Sequence, residues 1–526
     1  TEMYNSENYT YMADPIRHHA QVRGDKAALI FEGREISYRE LDQRANKVAN
    51  GLIAAGVQHG QRVAILAKNI DLFFEIYYGA TKAGAVLVPI NFRLAPPEIA
   101  YVLNDAQAKF LFVTDEYYDL VDGIAGDLTT VTQTIALHGG HDRGDDNWPD
   151  HAAWRDRQDA ADPHGEGNAE ATALQAYSSG TTGHPKGVET MHRNFVPFVP
   201  IALEDWGGWE VDDVNLVAMP LYHVGGCVWA FVGLYVGTTN ILLAEVDPPE
   251  ILRVIERYKI TQVFFVPAVI LFLLQTPGAA TTDVSSVRHV MYGASPIPYP
   301  VLQRALKMFS CGFAQLYGLT ETTGAVTYLP PEAHDGSAKM KSCGKTMSAA
   351  TVRVVDSNDR DCPADVVGEI IVSGDQVMKG YWNLPDETEK AIRGGWFYSG
   401  DAGYFDAEGY LYIHDRVKDM IVSGGENIYP AEVESALAGH EGIADVAVIG
   451  VPDEKWGETV KAIVVLASGV ALSEDEIIAY SRTQIGGFKI PRSVDFVDEL
   501  PRNPSGKILK RELRKPHWAG HDRQVN

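Results

Sequence analysis

Arg62-Val63-Ala64-Ile65-Leu66-Ala67, Val86-Leu87-Val88-Pro89-Ile90 and Phe110-Leu111-Phe112-Val113-Thr114 are short, mostly apolar runs, and Leu72–Thr81 and Pro97–Leu103 between them read as helices. Runs of this kind, without polar alternation, suit strands buried on both faces. Strands alternating with helices predict a mainly parallel sheet covered on both sides. Upstream, Ala27–Phe31 and Glu35–Tyr38 flank a Gly33 turn as a hairpin. Ser37 with Glu40 forms a capping box that opens a helix with Leu41, Ala45, Val48 and Leu52 on one face, ending at Gly56. Further alternating segments follow, among them Gln262–Val266 before Pro267 and Val287–Tyr292 before Gly293. Gly139–Asn168, rich in Gly, Asp, His and Pro, reads as a solvated loop carrying a short amphipathic turn; its Asp and His spacing is too irregular to favour a metal site.

Beyond about Thr327 the texture changes to short strands with Gly/Asp turns, at Thr351–Val355, Gly368–Val372 and Tyr410–Ile413, which predict a small antiparallel unit or barrel. From near Arg416 a helix opened by Pro430, strands at Val446–Val451 and Lys461–Leu466, and a Ser473–Glu476 capping box predict a compact α+β unit. The fold expected is therefore α/β. A large multi-subdomain N-terminal domain, residues 1–415, combines parallel-rich sheets and helices with a small β-barrel; a smaller α+β C-terminal domain spans 416–526.

At 526 residues the chain exceeds one ordinary core. A net charge of −25 excludes the basic excess that a nucleic-acid binder uses on phosphates, and disfavours anionic lipid. Cys227, Cys311, Cys343 and Cys362 are scattered without a C-x-x-C pair, so neither a disulfide framework nor a zinc site is expected. No apolar run is long enough to span a bilayer and no signal peptide is evident, which predicts a cytoplasmic protein.

Tyr177-Ser178-Ser179-Gly180-Thr181-Thr182-Gly183-His184-Pro185-Lys186-Gly187 packs hydroxyls, glycines and one lysine into a short run. Glycines let backbone N–H groups turn toward an anion, hydroxyls add donors, and lysine adds charge, so the run suits the phosphates of a nucleotide. Gly187 stands where the Walker pattern needs Ser or Thr. A plain Gly/Ser/Thr surface loop is the competing reading. Gln315-Leu316-Tyr317-Gly318-Leu319-Thr320-Glu321 offers an aromatic face, a hydroxyl and a carboxylate, and Tyr398-Ser399-Gly400-Asp401 sets an acid on a turn suited to a sugar diol. Asp415–Asp419, Ser423–Asn427 and Pro504-Ser505-Gly506-Lys507 add charged, glycine-rich turns.

Together and in this order, Ser178–Gly187, Tyr317–Glu321, Ser399–Asp401, Asp415–Pro430 and Pro504–Lys507 resemble the adenylate-forming superfamily of acyl-CoA synthetases, coumarate-type ligases, luciferases and peptide-synthetase adenylation domains. The resemblance runs from about Tyr11 to Leu513. It implies a reaction of a carboxylic acid with ATP and Mg²⁺ to acyl-AMP and pyrophosphate, followed by transfer of the acyl group to coenzyme A. Ser178, Ser179, Gly180, Thr181, Thr182, Gly183 and Lys186 would then hold the polyphosphate. Tyr317 would stack on adenine beside Gly293, Ala294 and Ser295, with Gly318 and Ile413 also at the nucleotide. Thr320 would touch the α-phosphate and Glu321 would bind the metal. Asp401 would hold the ribose with support from Arg416, Lys507 would serve adenylation, Gly424 and Gly425 would line the pantetheine path, and Lys418 would be the hinge of the C-terminal domain. Ser178 replaces the commoner Thr, Asn503 a Thr and Lys510 an Arg, and none of these replaces Lys507 itself.

The acid pocket implied by the resemblance is lined by Tyr222, His223, Val224, Gly225, Trp229, Phe264, Val266, Tyr292, Gly318, Thr322, Thr323 and Val326. Glycine at position 318, where acetate- and propionate-specific members carry tryptophan, implies room for a medium- or long-chain fatty acid or a hydroxycinnamate-type acid. Expected partners are the acid, ATP and CoA, with no nucleic acid and no membrane span; a homodimer is left open. Other readings are an adenylation module feeding a carrier protein, a luciferase-like oxidoreductase, and a silent nucleotide-binding scaffold. Against the first, the chain ends soon after Lys510 without a carrier segment; against the last, it holds Lys507, Glu321 and Asp401 together.

Overall fold

The computed structural model describes residues 9–142, 147–163, 168–178, 185–294, 297–416, 419, 421–423, 426–428, 430–453, 457–485, 487–502 and 508–519. Arg62–Leu66, Val86–Ile90 and Phe110–Val113 pair in parallel at the centre of a seven-stranded sheet, continued by Gln133–Ala136 on one side and Thr172–Ser178 on the other. Every residue of those three central strands is buried, as unbroken apolar runs require. Thr172–Ser178 turns back antiparallel onto Lys186–Met191, with Ser178 opposite Lys186, and Gly380–Tyr381 adds the edge beyond.

A nine-stranded sheet takes the rest of the N-terminal α/β region. His289–Gly293 lies parallel between Gln262–Phe265 and Gly312–Leu319, and the hairpin Ala27–Phe31/Arg34–Ser37 closes the far edge. The helix Val224–Val236 is buried along almost its whole length. It is 13 residues long, and among the described residues no helix is long and apolar enough to cross a membrane.

In the helix Tyr38–Ala54, Leu41, Ala45, Val48 and Leu52 are all fully buried, as their spacing predicts. Only half of the expected capping box forms there. Ser37 Oγ accepts the Glu40 N–H (3.2 Å), but the Glu40 carboxylate pairs with Arg44 instead of returning to the cap. At Ser473 both halves form, with Ser473 N–H donating to Glu476 Oε2 (2.8 Å) and Glu476 N–H to Ser473 Oγ (3.3 Å).

Gly139–Asn168 is less solvated than its composition suggests. Trp148, His151 and Arg155 are buried, the last two on the short helix His151–Asp156. His151 Nε2 lies 2.6 Å from Glu75 Oε1, and Arg155 Nη1 donates to the same oxygen (2.9 Å). Asp162 accepts from Arg17 Nε (2.6 Å) and Lys82 Nζ (3.0 Å). The helix Leu72–Lys82 is buried on all faces, so its Glu75 and Lys82 need charged partners, and this loop supplies them.

The small antiparallel unit expected as a barrel is an open five-stranded sheet in its hydrogen-bonded pairing. Thr351–Val355, Gly368–Ser373, Trp396–Phe405 and Ile392–Arg393 follow in order, and Leu411–Arg416 pairs with Trp396–Phe405. The C-terminal sheet runs Glu426–Ile428, Ile421–Ser423, Gly457–Leu466, Ile443–Asp453, with Ser493–Phe496 parallel to Gly457–Leu466. Val433, Leu437, Val448, Val460 and Ile477 form its separate core.

Candidate active site

Three sheets end on one cavity of about 2640 Å³, whose walls include Ser178, Lys186, His223, Ala294, Tyr317, Thr320, Glu321, Asp401 and Ile413. A single small-molecule pocket is usually 300–1,000 Å³. This one is large enough for several ligands side by side, and it runs on to Glu434, Lys510 and Arg514 of the C-terminal region. Lys510, the departure from the family pattern, pairs with Glu434 at 2.9 Å.

Gly312–Leu319 brings Tyr317 to the wall, and Trp396–Phe405 brings Asp401. Tyr317 Oη donates to Asp401 Oδ2 (2.8 Å), so residues 84 apart in sequence form one unit. Burial first, and then the Asp401 charge, push the Tyr317 phenol well above its ordinary pKa, so it stays a donor. The turn before Asp401 is held from within and from the neighbouring strand: Ser399 Oγ accepts the Asp401 N–H (3.0 Å), and the Gly400 N–H donates to Glu369 Oε1 (3.1 Å). Arg416 stands directly opposite Asp401 in the strand register.

Thr320 and Glu321 occupy a single 3₁₀ turn after that strand. Thr322, expected to line the acid pocket, is fully buried; its Oγ1 accepts the Leu319 N–H (2.9 Å) and donates to Gly324 O (2.8 Å). It holds the turn and does not face the cavity. Thr323, buried at φ +56°, is pinned by its Oγ1 donating to Gln376 O (2.8 Å). Gln376 Nε2 in turn donates to Ala325 O (2.8 Å), and Met378 N–H to Glu321 O (2.8 Å). Asn194, fully buried, supports the same segment by donating Nδ2 to Val377 O (2.9 Å). Tyr381 Oη donates to Glu321 Oε1 (2.9 Å). The sequence stretches singled out above include none of Tyr381, Gln376 and Asn194, because their bonds to Glu321 Oε1, Ala325 O and Val377 O join segments far apart in the chain.

Gly293 and Gly318 are glycines for a reason other than ligand room. A Cβ on Gly293 would sit 2.1 Å from Leu316 O, and one on Gly318 would sit 1.8 Å from Gly324 O. Gly318 faces Ala325 beside a bulge in the pairing, so backbone already occupies the place of a side chain. Glycine 318 is required by this close approach, and it also lies on the cavity wall. Ala294, next to Gly293, lies on the cavity at φ +67°.

Of the residues expected to line an acid pocket, His223, Val224, Gly225, Trp229, Phe264, Val266 and Gly318 stand on the cavity wall, and the cavity continues past Phe198, Val228 and Trp206. His223 caps the helix Val224–Val236, and burial lowers its pKa to about 4, so the ring is neutral at pH 7. Its Nε2 is buried without a hydrogen-bond partner among the described residues. Tyr222, Tyr292, Thr323 and Val326, like Thr322, stand elsewhere. Tyr222 packs edge-on against Phe92, behind the wall. Tyr292 is fully buried, with its hydroxyl 3.0 Å from His334 Nε2. Thr323 and Val326 are likewise buried and off the wall.

Lys186 reaches the cavity from the end of its strand. Ser179, Gly180, Thr181, Thr182, Gly183, Ser295, Lys418, Gly424, Gly425 and Lys507 lie outside the described residues, as does the side chain of Arg416. Among the described residues no group of three or more His, Cys, Asp or Glu side chains is arranged to cage a metal.

The model of the AMP-binding enzyme family matches residues 16–382, and that of the AMP-binding enzyme C-terminal domain matches 432–507. The chain belongs to this family. Within it, a fatty acid–[acyl-carrier-protein] ligase, ScoC, of Streptomyces coeruleorubidus is 39% identical over 513 residues, 97% of this chain and 96% of the relative. A feruloyl-CoA synthase of an Amycolatopsis species is 39% identical over 504 residues, covering 95% and 98%. The crystal structure of the anthranilate CoA ligase AuaEII with anthranoyl-AMP superposes with a TM-score of 0.91 at 26% identity, covering 97% of this chain and 98% of that one. The family's members are enzymes, so a silent scaffold is not the reading that this membership favours.

Proposed function

We propose that the protein is an ATP-dependent carboxylate–CoA ligase. It joins an acid to AMP with release of pyrophosphate and then passes the acyl group to the thiol of CoA with release of AMP. The observation that carries this is the convergence of Lys186, Thr320, Glu321 and the Tyr317–Asp401 pair on one cavity from three separate sheets. A carboxylate is a poor acyl donor until its oxygen bears a good leaving group. Its oxygen attacks the α-phosphorus, and the bond to pyrophosphate breaks. The charge that builds on the phosphate oxygens calls for fixed cations and donors.

In this reading Tyr317 lies against adenine and Asp401 takes the ribose hydroxyls. Lys186 holds the β- and γ-phosphates with Ser178 and the Ser179–Gly183 stretch, and Thr320 touches the α-phosphate. Glu321 fits Mg²⁺, which favours hard oxygen donors and typically uses one or two carboxylates plus substrate phosphates and not an all-protein cage. When bound, the metal neutralises phosphate charge. Lys507 serves the adenylation step, and Gly424 and Gly425 the thiol path. Domains over 1–415 and 416–526, with a hinge near Lys418, would let one C-terminal unit serve both steps in turn.

The acid has an apolar body, either a medium- or long-chain aliphatic tail or a hydroxycinnamate-type ring. His223 favours the aryl acid with a hydrogen-bonding group. A saturated chain beside Nε2 would leave a buried ring nitrogen unpaired, at a cost of about 1–3 kcal/mol. A second reading, transfer to a carrier-protein thiol, draws on the name of the Streptomyces relative. This chain covers 96% of that relative, so carrier loading there needs no long appended segment. The test is pyrophosphate release over a panel of aliphatic and aryl acids, with acyl transfer then scored to CoA and to a phosphopantetheinylated carrier protein. No pyrophosphate with any acid would refute the ligase reading, and transfer to carrier alone would replace CoA as acceptor.

A further inference from the structure

The lysine that closes the glycine-rich stretch is already matched by an anion. Lys186 Nζ lies 2.5 Å from Glu387 Oε2 and 5.0 Å from the centroid of the Tyr381 ring. Glu387 belongs to the first turn of the helix Pro385–Ala391, and its other oxygen takes Lys390 Nζ at 2.8 Å. Three local features put it there. Gly380–Tyr381 pairs with Lys186–Met191, with Tyr381 opposite Val188. Tyr381 N–H donates to Thr388 Oγ1 (2.9 Å), which ties the start of the helix to that strand. Thr388 Oγ1 also donates to Leu384 O (2.9 Å). The carboxylate and the ammonium therefore meet on the cavity wall, and both side chains remain partly open to it, at 31% and 17% exposure. Hydrogen bonds from Lys186 and Lys390 hold the Glu387 carboxyl down at about 2, so it is an anion at any working pH.

We propose that Glu387 is the resident counter-ion of Lys186, displaced when the β- and γ-phosphates of ATP arrive and restored as pyrophosphate leaves. This rests on the reading of Lys186 as a phosphate ligand given above. A lysine that loses a polyphosphate into open cavity gives up all of its charge pairing at once. One that is handed back to a carboxylate does not, so release of pyrophosphate is eased at the expense of ATP affinity. Lys390 stays with Glu387 through the exchange and keeps the displaced carboxylate from standing alone. Neither phosphate of the exchange is present in AMP, so AMP binding is blind to it. A partly exposed ion pair of this kind sets the size of the effect, about two- to fivefold in affinity.

The test is titration calorimetry on the full chain with Mg²⁺, using a non-hydrolysable ATP analogue, pyrophosphate and AMP in turn. The proteins are the wild type, Glu387→Gln, Glu387→Asp, Lys186→Ala and the double variant Lys186→Ala/Glu387→Gln. Glu387→Gln should tighten the ATP analogue and pyrophosphate about two- to fivefold, leave AMP unchanged, and give no gain once Lys186 is alanine. Glu387→Asp, which keeps the charge, should lie between wild type and Gln. Unchanged or weaker binding of the ATP analogue to Glu387→Gln would overturn the proposal, weaker binding marking Glu387 as a ligand of the metal–phosphate complex. An equal shift in AMP, or the same gain without Lys186, would overturn it too. If Lys186→Ala leaves the ATP analogue unaffected, the assignment of Lys186 to phosphate fails, and the exchange fails with it. If Lys186→Ala weakens the analogue while Glu387→Gln changes nothing, the exchange alone fails.

Discussion

Replacing Tyr381 by phenylalanine removes a single hydroxyl, the one that donates to Glu321 Oε1 at 2.9 Å. The ring stays in its strand beside Lys186, and the backbone pairing with Val188 is unaltered. A hydrogen bond to a charged acceptor contributes about 1.5–3 kcal/mol, and because Glu321 is only half-buried the low end applies. At about 1.5 kcal/mol the loss is roughly tenfold in the step that depends on a well-aimed carboxylate. ATP–pyrophosphate exchange should therefore fall about tenfold in kcat/KM, and the Mg²⁺ concentration for half-maximal exchange should rise. Thioester formation from supplied acyl-AMP should stay within about twofold, because the polyphosphate has already gone by then. Thermal unfolding should be nearly unmoved. Exchange that is unaffected at limiting Mg²⁺, or a thioester step reduced as much as exchange, would refute the idea that Tyr381 aims Glu321 at the metal.

Lys507→Ala should abolish adenylation while sparing thioester formation from supplied acyl-AMP, read by the same two assays; equal loss in both would remove Lys507 from the adenylation step. Glu75→Gln should lower stability to urea by about 3 kcal/mol, because the buried Arg155 loses the carboxylate it donates to and Arg44 and His151 lose the same partner. Burial raises the Glu75 pKa, but His151 and Arg155 outweigh it and leave it lowered. Its contribution is then complete above the ordinary glutamate range near 4.3 and fades as pH falls below it, so wild type should lose stability on acidification there and Glu75→Gln should lose less. Gly318→Ala should reduce pyrophosphate release with short and long acids alike and lower the unfolding temperature, since its Cβ meets the Gly324 carbonyl. A selective loss on long acids would show instead that the position faces the acyl group.

The alternation of apolar strand and helix from Arg62 to Val113 was readable because burial on both faces leaves no polar residue in the pattern. Lys186, Tyr317, Thr320, Glu321 and Asp401 each stand in a short stretch that the sequence singles out, and all five meet on the cavity. What local pattern cannot hold is a partner far along the chain. The Tyr317–Asp401 bond joins two such stretches, while Tyr381 reaches Glu321, and Gln376 and Asn194 hold nearby backbone, from none of them. Gly139–Asn168 looked solvated because its charges were counted without Glu75, Arg17 and Lys82, which arrive from helices up to 145 residues away in sequence. The family resemblance points to Tyr222, Tyr292 and Thr322 as acid-pocket lining, and only packing shows them in the core or the turn. Gly318 carries the same lesson in backbone: its lack of a side chain was legible, but that a carbonyl already fills the space is a fact of two strands meeting. Sequence determined which elements form and which short stretches carry polar side chains suited to a site, because both depend on neighbours a few residues apart. Tertiary structure decided which groups face the cavity and which anion sits on Lys186, because those depend on distances across strands that the chain crosses only after folding.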